Sequence, residues 1–167
     1  WPWAIGFLAS ACALALLLEL GRFALPPLNR WLLGHFGLLF RPQERSQHIT
    51  GATYIELTAL LCLYLFPKAT AATALLFLSV GDPMAALVGG LVGGWKLGGK
   101  SVTGAAAFFG ASLAAVAAIS ASPHVALGWP VVAGAAIAAL AELLPLPLDD
   151  NVRVPLAGGD VETARSA

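Results

Sequence analysis

The chain has 167 residues, of which 59% are hydrophobic and 11% charged, and its nine basic residues balance nine acidic ones. Soluble domains carry about 25% charged residues, so this chain lacks the polar groups to cover a water-facing surface and is expected in a bilayer. Zero net charge argues against a nucleic-acid partner, and Cys12 and Cys62, each inside an apolar run, read as small core residues and not as a disulfide or a metal pair.

The first apolar run, residues 3–20, is long enough to cross about 30 Å of hydrocarbon. It follows Trp1 with no basic segment before it, so it reads as a mature span and the chain as a fragment or a trimmed form. Glu19 and Arg22 have the i, i+3 spacing of a self-neutralising pair. Residues 31–40 are apolar but too short to span, which fits an interfacial segment. Residues 50–66 form a second span closed by Pro67, and Thr53 and Glu56 have capping-box spacing. Residues 69–80 reach only about 18 Å at about 1.5 Å per residue. They run into Gly81-Asp82-Pro83, where Pro83 disfavours helical geometry at Asp82 and Asp-Pro suits the start of a new helix. A helix broken at 81–83 is therefore expected, its two pieces spanning together. Residues 103–120 and 129–144 are the last two spans, rich in the Ala and Gly that let backbones approach closely in lipid. The expectation is an all-α integral membrane protein, one membrane-embedded domain over 1–167, with about five transmembrane helices and the site built from cytoplasmic loops.

Alternation of the spans puts 21–49, 94–102 and the tail after Pro145 on one face, and 67–68 and 121–128 on the other. Arg22, Arg30, Arg41, Arg45, Lys96, Lys100, Arg153 and Arg165 fall on the first face and Lys68 alone on the second. Positive charge marks the first face as cytoplasmic.

On that face, "GGWKLGGKSV" fits the phosphate-loop pattern G-x-x-x-x-G-K-[ST] through Gly94, Gly99, Lys100 and Ser101. A soluble phosphate loop needs a buried strand before it and a strand ending in Asp elsewhere. The preceding "VGGLVG" is poor in strand formers, so residues 88–94 are expected as helix or loop. The residue types still suit phosphate: glycines let amides approach it, Lys100 brings charge, and Ser101 a hydroxyl at a helix start. Ordinary juxtamembrane punctuation explains the same spacing equally well.

Carboxylates near a bilayer are costly unless paired or bound to metal. Asp82 sits at the expected helix break. Asp149-Asp150-Asn151 follows a proline-stiffened stretch, and two adjacent carboxylates invite a hard cation or are a solvated tail. Glu142 lies inside the last span, to pair with Arg22 or Lys100 or to face the site. His35, His48 and His124 show no metal-ligand spacing and read as structural.

Four stretches, "LFRPQERSQHITGATY", "LSVGDPMAALVG", "GGKSVTGAAAFF" and "AELLPLPLDDNVRVPL", occur here in the order seen in CTP-dependent lipid alcohol kinases. The sequence resembles that family of dolichol, phytol and diacylglycerol kinases over residues 19–158. The resemblance implies transfer of the terminal phosphoryl group of CTP to the hydroxyl of a membrane lipid alcohol, with Mg²⁺ or Mn²⁺. Carried over residue by residue, it places Asp82, Lys100 and Asp150 in catalysis. It gives Arg41, Gly81, Lys96, Gly99, Lys100, Ser101 and Asn151 to nucleotide phosphate, and Asp82, Asp149 and Asp150 to the metal. Glu44, Thr50, Gly51, Tyr54 and Glu142 also match its motifs. Relatives have further spans upstream, which nothing here supplies. Two other readings stand beside this one: a cytidylyltransferase-like CDP-lipid synthase, separated by its release of pyrophosphate, and a small transporter built on a broken helix.

Overall fold

The computed structural model describes residues 2–37, 40–46, 48–120, 127–144 and 150–163, without the side chains of 43, 150, 161 and 162. Almost all of them are helical: α1 (Pro2–Ala24), α2 (Pro26–Phe36), a 3-10 turn (Pro42–Arg45), α3 (Gly51–Leu65), α4 (Lys68–Leu76), a π turn (Phe77–Gly81), α5 (Asp82–Val92), α6 (Val102–Ile119), α7 (Trp129–Leu143) and α8 (Asp150–Thr163). The one departure from all-α structure among the described residues is a two-stranded antiparallel hairpin, β1 (Lys96–Leu97) with β2 (Lys100–Ser101). The chain divides into two units, Trp1–Leu60 and Leu61–Ala167.

In the first unit, prolines set the boundaries. Leu25, before Pro26, takes an extended conformation that ends α1 and leaves Pro26 at the first position of α2. Pro42 opens the 3-10 turn in the same way. α2 covers the first part of the stretch expected to be interfacial; it buries none of its residues, and Trp31 and Phe36 are exposed on it. The start of α3 is capped by Thr50, whose Oγ1 accepts from the Thr53 amide at 3.4 Å. The expected Thr53/Glu56 capping box is thus displaced by one turn, and Glu56 is left for another role.

In the second unit, α4, the π turn and α5 form one continuous 25-residue helix, Lys68–Val92. This corrects the break expected at 81–83: Asp82 has ordinary right-handed helical angles. A proline inside a helix lacks an N–H and its ring clashes with the carbonyl four residues back. The π turn immediately before Asp82 and Pro83 inserts an extra residue into the hydrogen-bond ladder and relieves both conflicts without ending the helix. α5 ends at Gly93 and Gly94, both at positive φ. The two-residue turn of the hairpin is Gly98-Gly99, with φ of 57° and 94°, the left-handed pair that such a turn demands and glycine supplies without strain. α5 and α6 pack in near-contact. A Cβ on Gly104 would lie 2.8 Å from the Ala85 carbonyl oxygen, so only glycine permits this approach.

The core of this unit gathers Phe77, Phe108, Val116, Ala135, Ala138 and Val154. Val154 belongs to α8, and Asn151, Arg153, Val154 and Pro155 are all buried. The stretch after Pro145, expected as a cytoplasmic tail, is therefore in part a packed helix. Gly158 lies against Phe77 and the Gly134 carbonyl, so glycine lets a weakly apolar helix seat itself in the core.

Among the described residues, three helices are long and apolar enough to cross a membrane: Pro2–Ala24, Lys68–Val92 and Val102–Ile119. The other two expected spans, Gly51–Leu65 and Trp129–Leu143, are apolar but have 15 residues each. That is about 22 Å of helix against about 30 Å of hydrocarbon.

Candidate functional site

The second unit brings Lys100, Glu142 and Arg153 to one corner. Lys100 lies on β2, held in register by the glycine turn, and its Nζ is 2.7 Å from Glu142 Oε1. Glu142 sits in the last turn of α7 with its side chain 5% exposed, whereas that of Lys100 is 32% exposed. The pair joins the start of α6 to the end of α7 and chooses Lys100 over Arg22 as the partner of Glu142. Arg153 of α8 donates from Nη1 to the Leu144 carbonyl at 2.8 Å and from Nη2 to the Glu142 carbonyl at 3.4 Å. It thereby caps the carbonyls that a helix end leaves without partners and places a cation at the negative end of the α7 dipole. The sequence marks Arg153 only as a side-determining charge. Its capping role has no local signal, because the carbonyls it serves belong to a different helix.

Ser101 does not carry a free hydroxyl at the mouth of a loop. It is buried, and its Oγ accepts from the Gly104 amide at 3.0 Å, capping α6. Thr103 donates to the Gly93 carbonyl and, at 3.2 Å, to Ser101 Oγ. Gly99 provides the hairpin turn, and Lys96 is exposed on β1. Residues 88–94 are helix through Val92 and then loop, as expected, so the soluble phosphate-loop arrangement is absent from this stretch.

Asp82 lies elsewhere along the unit. It precedes the end of α5 at Val92 by ten residues, about 15 Å of helix at about 1.5 Å per residue. Gly81 beside it is buried against Phe108 and Ser112, in the middle of α6. Asp82 thus lies within a continuous helix and not at a helix break, and Gly81, expected at nucleotide phosphate, is a packing glycine. The Ser112 hydroxyl is buried there with no hydrogen-bond partner among the described residues. The Ser112 hydroxyl thus faces Gly81 at the end of the π turn, the residue before Asp82 in the chain. Serine inside the Ala-rich run of α6 was the available sequence signal, and it was missed.

Asp149 lies outside the described residues, as does the side chain of Asp150, whose backbone begins α8; Asn151 follows, buried. Among the described residues no three of His, Cys, Asp or Glu cluster to hold a metal ion. Of the three expected metal ligands only the side chain of Asp82 is described.

The first unit holds a separate network. Glu19 and Arg22 form the ion pair that their spacing suggested, Nε to Oε2 at 2.5 Å, both buried. Glu19 Oε1 accepts from the Thr50 amide at 2.9 Å, Thr50 Oγ1 at 2.7 Å and Thr53 Oγ1 at 3.1 Å. Arg22 donates to the carbonyls of Glu44, Ser46 and His48. Glu44 in turn accepts from the amides of Arg41 at 2.9 Å and Gly51 at 3.0 Å. Thr50, Gly51 and Glu44 therefore shape this loop. Arg41 is exposed, 3.7 Å from Glu44, and Tyr54 is half-buried on α3. Cys12 and Cys62 are buried free thiols, as expected. His35 contacts the Trp31 carbonyl at 2.9 Å, and His124 lies outside the described residues.

No protein-family model matches the chain, and neither a curated protein nor a solved structure does.

Proposed function

We propose that the chain is a membrane-embedded, CTP-dependent lipid alcohol kinase with its phosphate-handling corner on the cytoplasmic side. The observation that carries the reading is Lys100: a part-exposed ammonium on a glycine-turned hairpin, anchored by a buried carboxylate at 2.7 Å. Phosphoryl transfer is mostly positioning and charge neutralisation. A lysine on a fixed hairpin, its ammonium held on one side by a carboxylate and open on the other, serves both, and the four ordered stretches resembling lipid alcohol kinases agree with it. Arg153 holds the ends of α7 and α8 together around it.

In this reading Lys100 binds the nucleotide phosphates at the helix ends. Asp82, deeper along α5, is the residue offered to receive the acceptor alcohol from the apolar layer and take its proton, which requires the terminal phosphate to reach about 15 Å in from the end of α5. The alcohol oxygen bonds to the terminal phosphorus, the bond from that phosphorus to the CDP oxygen breaks, and CDP leaves. Asp82, Asp149 and Asp150 are the residues offered to Mg²⁺ or Mn²⁺, which neutralises phosphate charge when bound.

The mid-helix position of Asp82 also favours the transporter reading, since a carboxylate within a span is a recurring device for moving ions and protons. One experiment separates the readings. The purified chain in nanodiscs receives Mg²⁺, a panel of lipid alcohols, and CTP or ATP labelled at the terminal phosphate. Label in the lipid supports the kinase. With a lipid phosphate added as a further acceptor, label released from CTP as pyrophosphate and none in the lipid replaces it by the synthase. Solute accumulation in proteoliposomes with no nucleotide consumption replaces it by the transporter.

A further inference from the structure

The charged side chains of the first unit are Arg22, Arg30, Arg41, Arg45, Glu19, Glu44 and Glu56. Glu19, Glu44 and Arg22 are buried and Glu56 is half-buried, whereas Arg30, Arg41 and Arg45 are exposed. Every exposed charge of this unit is therefore an arginine. Arg45 lines a half-open cavity of about 440 Å³ together with Leu33, Gly34 and His35 of α2 and with Gly37, a size within the about 300–1,000 Å³ of small-molecule pockets. Arg45 ends the 3-10 turn, and its Nη2 donates to the Gly37 carbonyl at 3.2 Å. A guanidinium carries five N–H groups, and among the described residues this is the only hydrogen bond that Arg45 donates. The bond holds the cation at the end of α2 and leaves the other donors for a ligand; phosphate oxygens suit such a fork. Capping of α2 uses one donor and does not account for a surface without an exposed carboxylate. Trp31, His35 and Phe36 form one aromatic cluster beside the cavity, with ring centres 4.7 to 6.4 Å apart, and Trp31 and Phe36 are exposed. All of this follows within a few turns of the end of α1, a helix long enough to cross a membrane. Cationic groups and exposed aromatic rings next to a span suit a phosphate that carries hydrocarbon better than a soluble anion.

We propose that this cavity binds the phosphodiester head of an anionic membrane phospholipid, with Arg45 on the phosphate oxygens and the acyl chains against the aromatic cluster. The inference rests on the bilayer reading of α1 and is independent of phosphoryl transfer.

The test is native mass spectrometry of the full chain in detergent, which reads the affinity for the first lipid bound. The probes are phosphatidylmethanol, whose one charge is its phosphodiester, and phosphatidylcholine, whose phosphate is neutralised by its own choline. Phosphatidylmethanol is expected to bind about fivefold more tightly, the worth of one basic residue at a membrane surface. Arg45→Gln keeps a donor for the Gly37 carbonyl without the charge and removes this preference. Gly34→Leu adds a side chain where nothing lies within 4 Å; it fills the cavity with Arg45 intact, does the same, and carries the test if Arg45→Gln fails to fold. Arg30→Gln removes an equal charge outside the cavity lining and keeps the preference. Equal affinity for the two lipids, parental preference in Gly34→Leu, or a loss in Arg30→Gln as large as in Arg45→Gln would overturn the proposal. Displacement of phosphatidylmethanol by millimolar inorganic phosphate or CTP would overturn it too, giving the cavity to a soluble anion. A chain with this lipid preference that transfers no phosphate would sink the kinase reading and leave this one standing.

Discussion

Replacing Lys100 by alanine removes the group that neutralises Glu142, and the consequence follows from their burial. Breaking a fully buried ion pair by deleting one partner costs about 3–5 kcal/mol, because the other charge is left uncompensated. A fully exposed pair is worth about 0–1 kcal/mol. Here the Glu142 side chain is 5% exposed and that of Lys100 32%, so the loss falls between, at about 2–3 kcal/mol. At about 1.4 kcal/mol per tenfold change, the folded fraction relative to unfolded drops roughly 30- to 140-fold. Lys100→Ala is therefore not the silent probe of phosphate binding that the sequence suggests. Adding Glu142→Gln removes the stranded charge and should return most of the lost stability. The assay is a denaturation series in detergent on the parent, both single variants and the double variant, with CTP turnover measured on each. In the double variant, regained stability with a raised KM for CTP and lowered kcat assigns Lys100 to the nucleotide. Regained stability together with regained turnover would reduce Lys100 to a counter-ion, and a Lys100→Ala chain as stable as the parent would refute the pairing argument itself.

Three further outcomes are expected. Gly104→Ala brings a Cβ within 2.8 Å of the Ala85 carbonyl and should cost about 1–3 kcal/mol by overpacking, whereas Gly110→Ala, with nothing within 4 Å, should be neutral or stabilising by up to about 1 kcal/mol; equal effects in thermal unfolding would remove the close α5–α6 approach. Glu19→Leu strands the buried Arg22 and three donors and should destabilise by about 3–5 kcal/mol, with Arg22→Met in the same chain recovering part of it; strictly additive losses would mean that the two do not act as a pair. Asp82→Asn and Asp150→Asn should each lower kcat by orders of magnitude, the double variant should be little worse than either, and EDTA should stop turnover; multiplying losses or EDTA-resistant activity would rule out a shared metal.

Much of the helical layout could be read from the sequence alone. The expected spans at 3–20, 103–120 and 129–144 lie within a few residues of α1, α6 and α7. The reason is local: apolar runs in this chain are closed by Pro, Gly and Ser, whose backbone preferences act within a turn of where they stand. The Glu19–Arg22 pair was legible for the same reason, three residues being one helical turn. What only the tertiary structure decided was set by neighbours distant in sequence. Pro83 signals trouble in a helix, but whether the helix breaks or absorbs a π turn depends on the packing around it, and here Gly81 wedges against Phe108 and Ser112 and keeps the two pieces in line. Glu142 had two possible cations, and β2 delivers Lys100 to it across 42 residues. Arg153 and α8 look like a polar tail by composition. They are buried because the carbonyls at the end of α7 need a donor and because Gly158 and Gly159 leave room for the rings of Phe77 and Phe66.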